Sequence, residues 1–196
     1  MQREISSPIV PSATGTVTPS WLRSAVLVFA GSLVLATCAR VSVPLWFTPV
    51  PLSLQPFGVL LLGLLLSPRM AVATLIAYLA EGAAGLPVFA PSPLSGVAHL
   101  LGPTGGYLMA YPAAGALTSI LWRRTGRGFS TALLSAGLGD LLILVSGAAW
   151  LAALDHAVSG SARFVGVVAF LPGDALKVVA AAGIATGWQR VRRQRQ

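Results

Sequence analysis

From Trp21 to Trp188 the chain is a succession of long apolar stretches, separated by short breaks that carry its Arg, Pro and Gly residues. A helix that spans a bilayer needs about 20 mostly apolar residues, because the hydrocarbon core is about 30 Å thick and each residue rises about 1.5 Å. Six stretches meet that requirement: about 21–40, 50–67, 70–90, 105–122, 131–154 and 165–188. The pattern predicts an all-α membrane protein with six transmembrane helices. Residues 1–20, polar and rich in Ser, Thr and Pro, precede a run too long for a signal-peptide core, so they are expected to be a flexible tail. Residues 21–188 then form the transmembrane domain, and residues 189–196 a basic cytoplasmic tail.

Composition supports a lipid environment. The chain is 55% hydrophobic and 9% charged, against about 25% charged residues in soluble domains. An ordinary soluble enzyme, a disordered chain and a disulfide scaffold are excluded. The single cysteine, Cys38, has no partner for an intramolecular disulfide and no ligand cluster around it, so no metal site and no cofactor are expected.

The net charge of +8 invites a nucleic-acid reading, but the basic residues form no continuous face, and no nucleic acid is expected as a partner. Their placement carries topology instead. Arg3, Arg23, Arg69, Arg123, Arg124, Arg127, Arg190, Arg192, Arg193 and Arg195 fall on one side of the six spans, and only Arg40 and Arg163 on the other. The positive-inside rule makes the arginine-rich side cytoplasmic, with both termini there. Trp21, Trp122 and Trp188 then lie near inner span ends, and Trp46 and Trp150 near outer ones, as interfacial aromatics do. The expected location is the cell (inner) membrane, crossed several times.

The second span is irregular. Pro44, Pro49, Pro51 and Pro56 precede its apolar part, Phe57–Leu66, which covers only about 15 Å. Non-helical backbone at membrane depth is tolerated where it is buried in protein or lines a cavity. This segment is therefore expected to fold over, or line, a pocket on the outer side.

Charged side chains within spans are costly and mark function. Four occur: Glu81, Asp140, Asp174 and Lys177. Asp174 and Lys177, three apart, share a helix face; they form either a self-neutralising pair for packing or a polar ligand site. Pro172-Gly173 just before them loosens the helix, which favours a ligand site. Glu81 is a ligand contact or a carboxyl bonded to a neighbouring helix, and Asp140 leans to a structural role. The connection after the third span runs through His99 and Gly102-Pro103-Thr104-Gly105-Gly106-Tyr107 to Tyr111. Its glycines allow close approach of backbone to a ligand and free N–H groups at a helix start. His99, isolated, is expected to be a bystander. On the first span Ser32 and Ala36, one turn apart, permit close helix approach, either inside the protein or against another membrane subunit.

Taken together, these residues resemble the BioY family, the biotin-binding S components of energy-coupling-factor (ECF) transporters. The likeness lies in Pro49-Val50-Pro51-Leu52-Ser53-Leu54-Gln55, in Tyr78 to Phe89 with its Gly-Leu-Pro-Val-Phe ending, in Gly102 to Leu108, and in Gly173-Asp174-x-x-Lys177-Val178. It implies capture of biotin from outside, with a transmembrane T component and cytoplasmic ATPase subunits as partners. Ser32 and Ala36 match the family's small-residue docking stripe, with serine in place of the usual alanine. Asp174 and Lys177 would then meet the polar groups of biotin, with Tyr107, Tyr111, Phe89 and Trp150 as apolar walls and Glu81, Thr104 and Gln55 as further contacts.

Catalysis is not expected. A P-loop needs Gly-x-x-x-x-Gly-Lys-Ser/Thr, and the sole lysine is followed by Val178, so ATP hydrolysis must come from another subunit. Two alternatives stay open. One is an S component for another small vitamin. The other is an intramembrane aspartyl protease, in which Gly137-Leu138-Gly139-Asp140 and Asp174 supply paired carboxylates.

Overall fold

Each of the six apolar stretches forms a helix in the computed structural model, which describes residues 20–46, 48–154 and 160–195, with side chains of the last segment described from Phe170. The long helices are α1 (Ser20–Arg40), α2 (Gln55–Leu65), α3 (Pro68–Ala83), α5 (Gly105–Arg124), α6 (Phe129–Leu154) and α7 (Gly160–Gln194). Between α3 and α5 lies a short helix, α4 (Val97–Leu101). Two-residue strands β1 (Ser42–Val43) and β2 (Leu52–Ser53) pair antiparallel between α1 and α2. The expected tail over residues 1–20 lies outside the described residues but for Ser20, where α1 begins.

Local chemistry sets the boundaries. At the α2–α3 junction Ser67 caps α3, its hydroxyl accepting from the Met70 N–H at 3.4 Å, and Pro68 occupies the first turn, where its missing N–H costs nothing. Helix α3 stops at Ala83, shorter than the expected 70–90 span, because Gly85 takes a positive φ of 91° and turns the chain out of the helix. Phe89 therefore sits in a loop. The last helix does the opposite and runs through the basic segment expected to be a tail. Arg and Gln are good helix formers, and neither glycine nor proline follows Gly187 to stop it. One turn apart there, the Arg192 guanidinium lies 5.3 Å from the centre of the Trp188 ring.

Helices α1 and α6 are each long and apolar enough to cross a bilayer unaided. Helix α2, with 11 residues, spans about 16 Å and is too short to do so. It is enclosed by the other helices instead, in contact with α1, α5, α6 and α7. The most extensive helix pair is α5 with α6. Glycines allow that close packing: a Cβ on Gly147 would lie 2.3 Å from the Tyr107 ring, and one on Gly106 2.2 Å from Trp150 Cβ. One core cluster gathers around Tyr78, Tyr111 and Ile143, and a second around Leu60, Trp122 and Ala182 toward the arginine-rich end.

The face of α1 that carries Ser32 points inward. Ser32 is 1% exposed and its hydroxyl donates to Glu81 Oε2 on α3, while Ala36 packs against the core cluster around Tyr78. The assignment of Ser32 to a docking surface is thus corrected, since its small size serves the α1–α3 contact within the protein, whereas Ala36 is half-buried. The surface of α1 presents Trp21, Val26, Phe29 and Leu33 instead.

Candidate ligand-binding site

The buried ion pair on α7 follows from local geometry. Asp174 and Lys177 are one helical turn apart, and Lys177 Nζ donates to Asp174 Oδ1 at 2.7 Å. Their side chains are 5% and 7% exposed. Both line a cavity bounded by residues of the Val50–Pro56 segment, α5, α6 and α7.

The proline-rich segment forms the cover expected of it. The β1–β2 pair and the Leu54 N–H bond to Val41 O at 3.0 Å hold it to the end of α1. Gln55 then ties it to α3: Nε2 donates to the Tyr78 hydroxyl at 2.7 Å, and Oε1 accepts from the Ser53 hydroxyl at 3.1 Å. The Tyr78 hydroxyl donates in turn to Val88 O at 2.8 Å. Gln55 therefore lines the cavity as a strut whose amide is engaged with protein.

Thr104, Tyr107 and Tyr111 also reach the cavity, from the start of α5. Glu81, Phe89 and Trp150 do not. Glu81 is turned toward Ser32. Phe89 packs edge-on against Tyr78 at 5.4 Å and lies behind His99, at 4.9 Å between ring centres. Trp150 donates its indole N–H to Gly102 O at 3.0 Å and packs over Gly105 and Gly106, so it supports the glycine turn from outside. These three expected contacts thus lie outside the cavity lining.

Two ionisable residues not expected in a site also line the cavity. His99 is 4% exposed, with Nδ1 3.2 Å from Leu94 O. Nothing in an isolated histidine signals this; α4, unforeseen, turns it inward. Asp140 is 6% exposed, and its Oδ1 has no hydrogen-bond partner. A carboxylate in an apolar span is a signal in itself, but helix periodicity alone does not say which way it faces. A second space lies between residues 44–51 and 90–94 and shares Pro51, Ala90, His99 and Thr104 with the first. It leads away from the arginine-rich end.

A buried acid–base pair within an apolar-walled cavity suits a small ligand with both donors and acceptors. Comparison with known proteins agrees. The BioY family model matches residues 7–194. The chain belongs to the BioY family. It is 39% identical to the probable biotin transporter BioY of Pyrococcus horikoshii, over 70% of this chain and 79% of that one. It is 37% identical to the biotin transporter BioY of Thermotoga maritima, over 75% and 84%. Its fold matches a crystal structure of the S-component for biotin from an ECF-type ABC transporter, with a TM-score of 0.77 over 87% of this chain and 92% of that one, at 23% identity. The protein is thus an all-α membrane protein of a transporter family. Nothing in these likenesses supports the proteolytic alternative, and the lysine bonded to Asp174 opposes proton sharing with Asp140.

Proposed function

We propose that the protein is a biotin-capturing S component, which takes the vitamin from the outer side of the cell membrane for uptake through an ECF-type transporter. The observation that carries this is the buried Asp174–Lys177 pair on the wall of a cavity beneath the proline-rich cover. An ion pair serving packing alone has little reason to border open space. Biotin offers a cyclic urea with two N–H donors and a carbonyl acceptor, an apolar sulfur ring and a carboxylate tail. Asp174 accepts from a urea N–H, Lys177 donates to the urea oxygen, and Tyr107 and Tyr111 flank the rings.

The distribution of arginines supports six membrane crossings, with both termini in the cytoplasm. The protein captures its substrate and leaves ATP hydrolysis to partners, a transmembrane T component and cytoplasmic ATPases. Calorimetric titration of the purified chain with biotin, thiamine and riboflavin tests the reading. Heat with biotin alone is expected; heat with another vitamin and none with biotin defeats the substrate assignment.

A further inference from the structure

Asp140 stands apart from the other charged groups of the cavity. Asp174 and Lys177 hold each other, the Gln55 amide is engaged through both of its polar atoms, and His99 Nδ1 faces Leu94 O. Among the described residues, Asp140 is the charged side chain whose buried oxygen, Oδ1, meets no hydrogen-bond partner. It is 94% buried and borders the cavity. Depth places it at the inner end. Across the α5–α6 contact a Cβ on Gly147 would meet the Tyr107 ring and one on Gly139 would lie 3.2 Å from Ala114 O, so Asp140 sits about one helical turn deeper than Tyr111.

We propose that Asp140 is a specificity-determining contact, a second carboxyl that accepts a hydrogen bond from an N–H of the ligand's head group. The inference rests on the biotin reading and deepens it. A cyclic urea presents donor, acceptor, donor in sequence. Its complement is two acceptors and one donor. Asp174 Oδ1 is bonded to Lys177, which leaves Oδ2 to accept from one N–H; Lys177 has protons left for the carbonyl. The second N–H needs another acceptor, and among the residues that line the cavity Oδ1 of Asp140 is the buried oxygen without a hydrogen-bond partner. The same carboxyl repels the ligand's own carboxylate, which sets the tail toward the outer opening. Ligand orientation and selection for a doubly N–H-bearing head then follow from one side chain.

The test is titration of the full purified chain with biotin and with its two ureido N-methyl derivatives, each lacking one N–H. The wild type is expected to bind both derivatives at least about tenfold more weakly than biotin. If either binds as tightly as biotin, the two-acceptor scheme is overturned, and this arm needs no variant that must fold. Asp140→Leu is expected to weaken biotin about 10- to 100-fold, with Asp140→Asn in between because it keeps an acceptor oxygen. The loss in Asp140→Leu should vanish for the derivative methylated at the nitrogen that faces Asp140. An equal loss for all three ligands, or an unchanged biotin affinity, defeats this inference while leaving the biotin reading standing. Tighter binding in Asp140→Leu overturns it as well, since it puts the ligand's carboxylate there. No binding of biotin to the wild type defeats both.

Discussion

Replacing Lys177 by methionine separates the two roles of the buried pair. Both side chains are over nine-tenths buried, and the bond is 2.7 Å long. Methionine keeps the length and removes the charge. A buried pair broken by removal of one partner costs about 3–5 kcal/mol, since the remaining charge has lost its compensation. Ligand affinity falls for a second reason. A hydrogen bond from a charged donor is worth about 1.5–3 kcal/mol, which at about 1.4 kcal/mol per factor of ten means biotin binds about 10- to 150-fold more weakly. The double variant Asp174→Leu/Lys177→Met is the control. A well-packed apolar pair in place of a buried ion pair is neutral or stabilising, so its thermal stability should return to near that of the wild type. Binding should not return. Calorimetry with biotin and thermal unfolding followed by tryptophan fluorescence measure the two quantities on the same preparations. If the double variant regains affinity along with stability, or if Lys177→Met binds biotin within twofold of the wild type, the pair is a packing device and the site assignment is wrong.

Three further outcomes follow from the geometry. Gly106→Ala sets a Cβ 2.2 Å from Trp150 Cβ and 2.8 Å from Ser146 O, so α5 must move off α6; a loss of about 1–3 kcal/mol in thermal stability is expected, with weaker biotin binding through displaced Tyr107. An unaltered melting temperature contradicts this packing. Tyr78→Phe strands the Gln55 amide and Val88 O, and should cost about 1–3 kcal/mol and speed proteolysis of the proline-rich cover; a protease digestion time course reads the second effect. Ser32→Leu forces a large side chain into the α1–α3 contact, where Ser32 is 1% exposed. It is expected to destabilise the isolated protein by about 1–3 kcal/mol, and unchanged stability with lost partner binding returns Ser32 to a docking role.

Much of this protein was legible before any coordinates. Six long apolar runs name six helices, because length against bilayer thickness needs no tertiary information. The pairing of Asp174 with Lys177 is equally local: residues three apart on a helix are neighbours wherever the helix goes. The cover followed from proline chemistry, since Pro44, Pro49, Pro51 and Pro56 leave backbone that must be shielded from lipid. The facing of each helix was not available in this way. In a soluble protein, polarity marks the outer side; in lipid both sides of a helix are apolar, and the pattern is silent about which is buried. Ser32 illustrates this, small enough for either surface and placed inside only by its bond to Glu81. Asp140 and His99 were brought to the cavity, and Phe89 and Trp150 held behind its lining, by turns and glycine contacts that act between distant parts of the chain. Sequence determined which groups exist and how neighbours along one helix meet. Tertiary packing alone decided which of them share a cavity, because that depends on how each helix is rotated against the others.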